Sequence, residues 1–443
     1  MAKIYNNSSE ARLAELALFR VPPTNVSVLK KVWRDVRPDS QITRHSPITF
    51  SDSGAGLEYK YFKKSRLYLK CRIATRTGAI PNEGDTVFPI NNLLNSLWSS
   101  IEVKLGSKLI TQNNNNFAYK SFIKTLLYRT DSPSEVAKLG PEMFHMDTVA
   151  EAKEYPAAMD SLTMQPYNAG AMKRKALTAG GKSFQLEGCL ATDLFGLPKY
   201  LINGVKWEIK LTPNRSEFIL MTDNPDAGYE LVIEDAVLKL CVIDIANSIL
   251  TAQNGVLERA KKAEYFFPKT EIRSFSVAQG LHSAYYENVF SSVLPHKVVC
   301  VFVDGAAYSG SYSRNPMNFA HNNLKRLTCF LNGQTVPSTP MSLDYENGMI
   351  SNALTALYDN TNTCLITTDN FSQGLNLYCF DLCTEADATD EFEDRPLCLE
   401  QTGTIRIEAE FSKPLPNSVQ LLVYGEFVAN FNVDTTRNVS KEA

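Results

Sequence analysis

Polar and apolar positions alternate with a period of two along much of this chain. In Leu67 to Ile73, the residues Leu67, Leu69, Cys71 and Ile73 fall on one side, and Tyr68, Lys70 and Arg72 on the other. That is the pattern of a strand with one dry face and one wet face. Val205, Trp207, Ile209 and Leu211 alternate likewise with Lys206, Glu208 and Lys210, and Ile405, Ile407, Ala409 and Phe411 with Arg406, Glu408 and Glu410. Val419 to Phe427 repeats the pattern. One-sided strands of this kind belong to antiparallel sheets. Val298 to Val303 is instead continuously apolar, which predicts a strand buried on both faces.

Helical spacing is scarce. Tyr119, Phe122, Ile123, Leu126 and Leu127 predict a helix over 119–129 with Lys120 and Lys124 outside, covering one end or face of a β-domain. A second helix is predicted near 245–262 as a linker. A third, over Glu10 to Phe19, has Ser9 to cap it and Pro22-Pro23 to stop it, and is too short to stand without something to lie against. Between Thr130 and Lys182 the periodicity fades, and Met143, Met146, Met159, Met164 and Met172 fall there among Pro, Ala and Gly. A stretch of that length without structure of its own predicts an insertion projecting from the first domain.

A pattern met early returns later. Ile101 to Tyr119 aligns without a gap on Leu327 to Tyr345, at an offset of 327 − 101 = 226 residues. Each copy has an alternating strand followed by a two-residue turn, Gly106-Ser107 or Asn332-Gly333, of the kind that permits positive φ in a hairpin. Leu105/Leu331 and Tyr119/Tyr345 are identities, and upstream Asn91-Asn92-Leu93 is echoed by Asn322-Asn323-Leu324. Two copies of one β-domain are expected, although the helix at 119–129 has no evident counterpart after Tyr345.

The fold class expected is therefore all-β, two tandem antiparallel jelly-roll sandwiches with a few short helices. The expected organisation is an N-terminal arm at 1–40, a first jelly roll at 41–246 with the insertion at about 131–182, a linking helix at 247–262, a second jelly roll at 263–434 and a polar tail at 435–443. A length of 443 residues agrees with more than one core.

Composition narrows the function. Hydrophobic residues make up 44% and charged residues 21%, as in a soluble globular protein. No apolar run approaches a membrane span, and the N-terminal residues lack the apolar region of a signal peptide, so synthesis in the cytosol is expected. A formal charge of −3 argues against specific nucleic-acid binding, which needs clustered Lys and Arg. Nine cysteines without a CxxC pair read as buried thiols.

Motifs for chemistry are missing, so no catalytic, cofactor-binding or metal residue is assigned and no cofactor is expected. Gly180-Gly181-Lys182-Ser183 resembles the end of a phosphate-binding loop, but Ala176 stands where that loop needs glycine, and a turn before a strand is the plainer reading. His45, His145, His282, His296 and His321 are dispersed, without the close pair that a metal-binding cupin needs. The acidic stretch from Glu385 to Asp394 lacks the spacing of a calcium loop. Lys173, Arg174 and Lys175 read as a loop face. GxSxG is absent.

The sequence resembles the double jelly-roll major capsid proteins of Polinton (Maverick) elements and adintoviruses. The likeness is carried by LALFRVPPTNVSV (16–28), SPITFSDSGAGLEY (46–59), LYLKCRI (67–73) and VFPINNLLNSLWSSIEVKLGSKLI (87–110), with the last the strongest. It continues through AEYFFPKTEIRSFSVAQG (263–280), RNPMNFAHNNLKRLTCFLNGQTVPS (314–338) and GTIRIEAEFSKPLPNSVQLLVYGEFVANFNVD (403–434). The resemblance implies a structural subunit without enzymatic activity. Such subunits form homotrimers, pseudo-hexagonal capsomers of an icosahedral shell around double-stranded DNA, in contact with neighbouring capsomers and minor (penton) proteins. The virion capsid is the implied location, made in the host cytoplasm and assembled in the host nucleus. The resemblance leaves the trimer-interface residues unknown. Two alternatives stand beside it: a glycan- or receptor-binding jelly roll using Tyr308 and Tyr312 as exposed loop aromatics, and a domesticated transposon-derived homologue that no longer assembles.

Overall fold

The structure is a computed structural model and describes residues 16, 18–82, 84–111, 115–129, 132–147, 168–259, 261–361, 365–383 and 399–441. Eight strands in the first half, with the short Tyr59–Lys60 added at one sheet, build two facing sheets: β1 (Val28–Val36), β2 (Ile48–Asp52), β3 (Arg66–Thr75), β4 (Trp98–Leu105), β5 (Lys108–Leu109), β6 (Phe184–Gly188), β7 (Trp207–Pro213) and β8 (Tyr229–Ile245). One sheet runs β1-β8-β3-β6 and the other β2-β7-β4-β5, antiparallel throughout. The second half supplies β9 (Ala263–Val277), β10 (Ser283–Tyr286), β11 (Lys297–Asp304), β12 (Leu324–Leu331), β13 (Gln334–Ser342), β14 (Tyr378–Asp381), β15 (Thr402–Phe411) and β16 (Val419–Val433). Its sheets run β9-β16-β11-β14 and β10-β15-β12-β13, again antiparallel. Strand for strand, the second order is the first repeated.

The alternating segments place their apolar sets in these sandwiches. Leu67, Leu69, Cys71 and Ile73 are wholly buried, as are Ile209 and Leu211, Ile405 and Ile407. The repeat seen in the sequence is structural over its strand and turn. Leu105 closes β4 and pairs with Lys108 across its hairpin, as Leu331 closes β12 and pairs with Gln334. Gly106 at φ 58° and Asn332 and Gly333 at φ 50° and 84° supply the left-handed turn residues. Asn92 and Asn323 both take positive φ, 58° and 53°, which asparagine tolerates better than most residues. In the first half a helical turn, Leu93–Ser96, intervenes before β4, whereas Leu324 opens β12 directly. The Tyr119/Tyr345 identity does not correspond in space: Tyr119 lies in a helix, whereas Tyr345 follows the Asp344 bridge residue.

The four longest helices among the described residues are α1 (Phe117–Tyr128), α2 (Ala169–Thr178), α3 (Asn247–Glu258) and α4 (Ser351–Asp359). α3 lies where the linking helix is expected. α1 follows β5 and α4 follows β13, the same place in each half, so the expected lack of a counterpart to α1 is corrected. The signal was missed because α4 is short and only Ala353, Leu354 and Leu357 are buried on it.

Two further expectations are revised. The arm at 1–40 is shorter than expected, because β1 runs from Val28 and pairs along β8 through Arg34 and Leu240. Its exposure on most positions hid the alternation. The polar tail is tied to both halves: Val439–Ser440 pairs with β16, Thr435 Oγ1 donates to Leu257 O, and Arg437 donates to Asn203 and Asn254. The described flanks of the 131–182 insertion are packed in part: Leu139, Glu142, Met143, Phe144 and Ala171 are buried, whereas Ser134, Val136, Ala137 and Lys138 are exposed. Arg174, read as part of a loop face, is on α2 with 1% exposure and donates to Pro89 O, His145 O and Asp147 Oδ1. Residues 148–167, the helix expected over 10–19 except for its last residues, and the acidic stretch 385–394 lie outside the described residues.

Candidate assembly site at the junction of the two halves

α1 forms because its apolar residues recur at helical spacing, and one face packs on the first sandwich. Its opposite face is not wet. The second half covers it, so Lys120, expected outside, is 7% exposed and donates to Asp193 Oδ1 at 2.6 Å. Lys120 also reaches Thr270 O on β9, and Thr270 Oγ1 donates to the same Asp193 oxygen at 3.0 Å. Three polar groups from both halves thus share one dry pocket. Lys124, also expected outside, is half-buried, and burial lowers its pKa.

Along the same helix, Tyr119 stacks on Tyr308, with ring centroids 5.8 Å apart, and Phe122 meets Phe319 edge to face at 5.7 Å. The Tyr119 hydroxyl has no partner among the described residues, and burial pushes its pKa well above the ordinary value. At the end of α1, Tyr128 donates to Glu426 Oε2 on β16, and Lys297 donates to the Tyr128 hydroxyl at 3.0 Å and to Asn360 O at 2.6 Å. Tyr424 donates to the other oxygen of Glu426 at 2.7 Å, and His296 stands 3.6 Å away. Burial raises the pKa of Glu426, but the His296 hydrogen bond, Lys297 and Tyr128 outweigh it and hold the carboxyl at about 2.

Two backbone connections seal the rim: Thr222 N donates to Tyr312 O at 3.0 Å, and Leu365 N to Leu126 O at 3.3 Å. Tyr308 donates to Asn116 Oδ1 and Tyr312 to Tyr229 O, and Tyr312 is 8% exposed. Both tyrosines are junction residues, which corrects their reading as exposed loop aromatics. Sequence reasoning missed Asp193, Lys297 and Glu426, although a lone Lys heading VVCVFV and a lone Glu within LLVYGEFV are the signals that pointed to them.

Gly180 and Gly181 form a turn ahead of β6, as expected, both at positive φ. Among the described residues no three His, Cys, Asp or Glu side chains are placed to hold a metal ion, and no helix is long and apolar enough to cross a membrane. His321 stacks on Tyr345 at 4.1 Å and accepts from Asn323 N. Of the described cysteines, Cys71, Cys241, Cys300, Cys329 and Cys379 are buried.

The matched strand orders define the class: the chain is a double jelly roll, the fold of viral major capsid proteins. A chain of the Sputnik virophage superposes with a TM-score of 0.65 at 9% identity, over 98% of this chain and 93% of that one. The mavirus major capsid protein gives 0.54 at 9% identity, over 100% and 96%, and the Faustovirus major capsid protein 0.53 at 8%, over 93% and 92%. In sequence, the chain is 23% identical to an uncharacterized protein of Caenorhabditis elegans over 94% of its own length and 98% of the relative. No family model matches it.

Proposed function

We propose that this protein is the major capsid subunit of a Polinton- or adintovirus-like element, with a structural and not a catalytic role. Three copies form a pseudo-hexagonal capsomer, and capsomers meet one another and minor penton proteins in an icosahedral shell around double-stranded DNA. The observation that carries the reading is the repeated strand order held together by a dry junction. Two like domains locked in one chain let a three-fold assembly present six, and a near-hexagon tiles a surface. In this reading the halves divide at α3, the residues before β1 form the arm, and the protein is made in the host cytoplasm and assembled into capsids in the nucleus.

The measurement that tests it is solution mass by light scattering. Three chains of 49.4 kDa weigh 3 × 49.4 = 148.2 kDa, and a single peak at that mass is expected. A chain that stays at 49.4 kDa at every concentration overturns the reading. That result fits the second one, a transposon-derived homologue that no longer assembles, to which the nematode relative lends support.

A further inference from the structure

The junction joins unlike faces. The first half contributes α1, and the second contributes the sheet β9-β16-β11-β14, through Thr270, Lys297 and Glu426. Because the strand orders match, each half carries both kinds of face, and the chain uses only one of each on itself. The faces left over are α4 on the second half and the sheet β1-β8-β3-β6 on the first.

These leftovers are exposed where their counterparts are buried. α1 has only Lys124 and Tyr128 half-exposed, whereas α4 leaves Asn352, Thr355 and Tyr358 open. β11 is buried from Lys297 to Val303, whereas its counterpart β3 turns Tyr68, Lys70 and Arg72 toward solvent. β9 has buried and half-buried positions along most of its length, whereas β1 leaves Leu29 at 69% and Trp33 at 48% exposure.

We propose that α4 of one copy docks on the sheet face containing β1 and β3 of a second copy, repeating between chains the contact made within each. This rests on the capsomer reading and names its interface. A contact between unlike faces propagates in one direction, and it closes into a ring when the rotation permits. With two like halves per chain, three copies complete six positions.

The chemistry of the two contacts differs in a way the proposal explains. Val299, Val301 and Val303, on the side of β11 that carries Lys297, have no exposure. The matching side of β3 is charged, with Lys70 and Arg72 on Glu234, and nearby Lys239 on Glu187. A face sealed inside one chain never meets water after folding. One that waits for a second copy must stay soluble, as the polar parts of non-obligate interfaces do.

The test is light scattering on the full chain with lesions on one face at a time: Leu29→Glu with Trp33→Glu, and separately Asn352→Arg with Thr355→Arg. All four side chains are exposed, and circular dichroism checks that each variant is folded. With a wild-type trimer, each variant is expected at 49.4 kDa. Their mixture, which retains one intact pair of faces, is expected to give a dimer of 2 × 49.4 = 98.8 kDa. A wild-type trimer with either folded variant still trimeric overturns the interface, as does a mixture that stays monomeric. A monomeric wild type overturns the capsomer reading beneath it.

Discussion

Tyr128, at the end of the helix of the first half, donates a hydrogen bond of 2.5 Å to the carboxylate of Glu426 in the second half. The two are 298 residues apart in sequence. Their contact couples the packing of one sandwich to the ionisation of a single group in the other.

That group sets an acid limit. The Glu426 carboxyl is held at about 2, below the ordinary value of 4.5, so the unfolded chain binds the proton first as pH falls. The stabilisation is complete above about 4.5 and is lost between there and about 2. A shift of that size corresponds to something on the order of 3 kcal/mol. Urea titrations from pH 7 down to 2 are expected to show this loss in the wild type and a shallower slope in Glu426→Gln. Parallel slopes would show that another group sets the limit.

The Lys120–Asp193 pair is buried and bridges to Thr270. Removing one partner leaves the other charge unpaired in a dry site, so Lys120→Met or Asp193→Asn is expected to cost about 3–5 kcal/mol. The double change Lys120→Met with Asp193→Asn is expected to restore most of it. Thermal unfolding of the two singles and the double closes the cycle, and additive losses would count against the pairing.

Gly170, in the first turn of α2, offers a conflict of signs. Alanine there favours the helix by up to about 1 kcal/mol. Its Cβ, however, would lie 2.5 Å from the backbone oxygens of both His145 and Met146. Backbone atoms cannot step aside cheaply, so Gly170→Ala is expected to destabilise by about 1–3 kcal/mol. A rise in melting temperature would show that α2 does not seat on residues 145–147.

Thiol reactivity divides by depth. Burial pushes Cys300 well above its ordinary pKa and Cys329 to about 12, leaving almost no thiolate at neutral pH. In mass-spectrometric labelling of the native protein near neutral pH, Cys71, Cys300 and Cys329 are expected to stay unmodified until denaturant is added. Rapid native labelling of any of the three would contradict the burial of that strand.

Much of the fold was legible in the chain, because a half-buried strand states its two environments residue by residue. Leu67 to Ile73 and Ile405 to Phe411 are of that kind. The residues that escaped notice are those whose environment is supplied by distant sequence. Lys120 looks like the wet side of a helix until the second half covers it. Arg174 looks like loop charge until the carbonyls of Pro89 and His145 close around it. β1 was missed for the opposite reason: an edge strand exposed at most positions does not alternate. The junction as a whole could be sensed only through oddities such as Lys297 at the head of an apolar run.

A chain that writes one strand order twice gives each strand two destinations while it folds. β4 could enter the sheet meant for β12, and a hairpin from one half could complete the other half or that of a neighbouring molecule, the characteristic failure of repeated domains. The halves answer this by dissimilarity. Across the nineteen aligned positions from Ile101 and Leu327, only Leu105/Leu331 and Tyr119/Tyr345 coincide, and the second pair does not correspond in space. Trp207 and Lys210 on β7 face β4 where β15 presents Ile405 and Glu408 to β12. Divergence between the halves therefore acts as an address system, directing each strand to its own sandwich while leaving the architecture of the two unchanged.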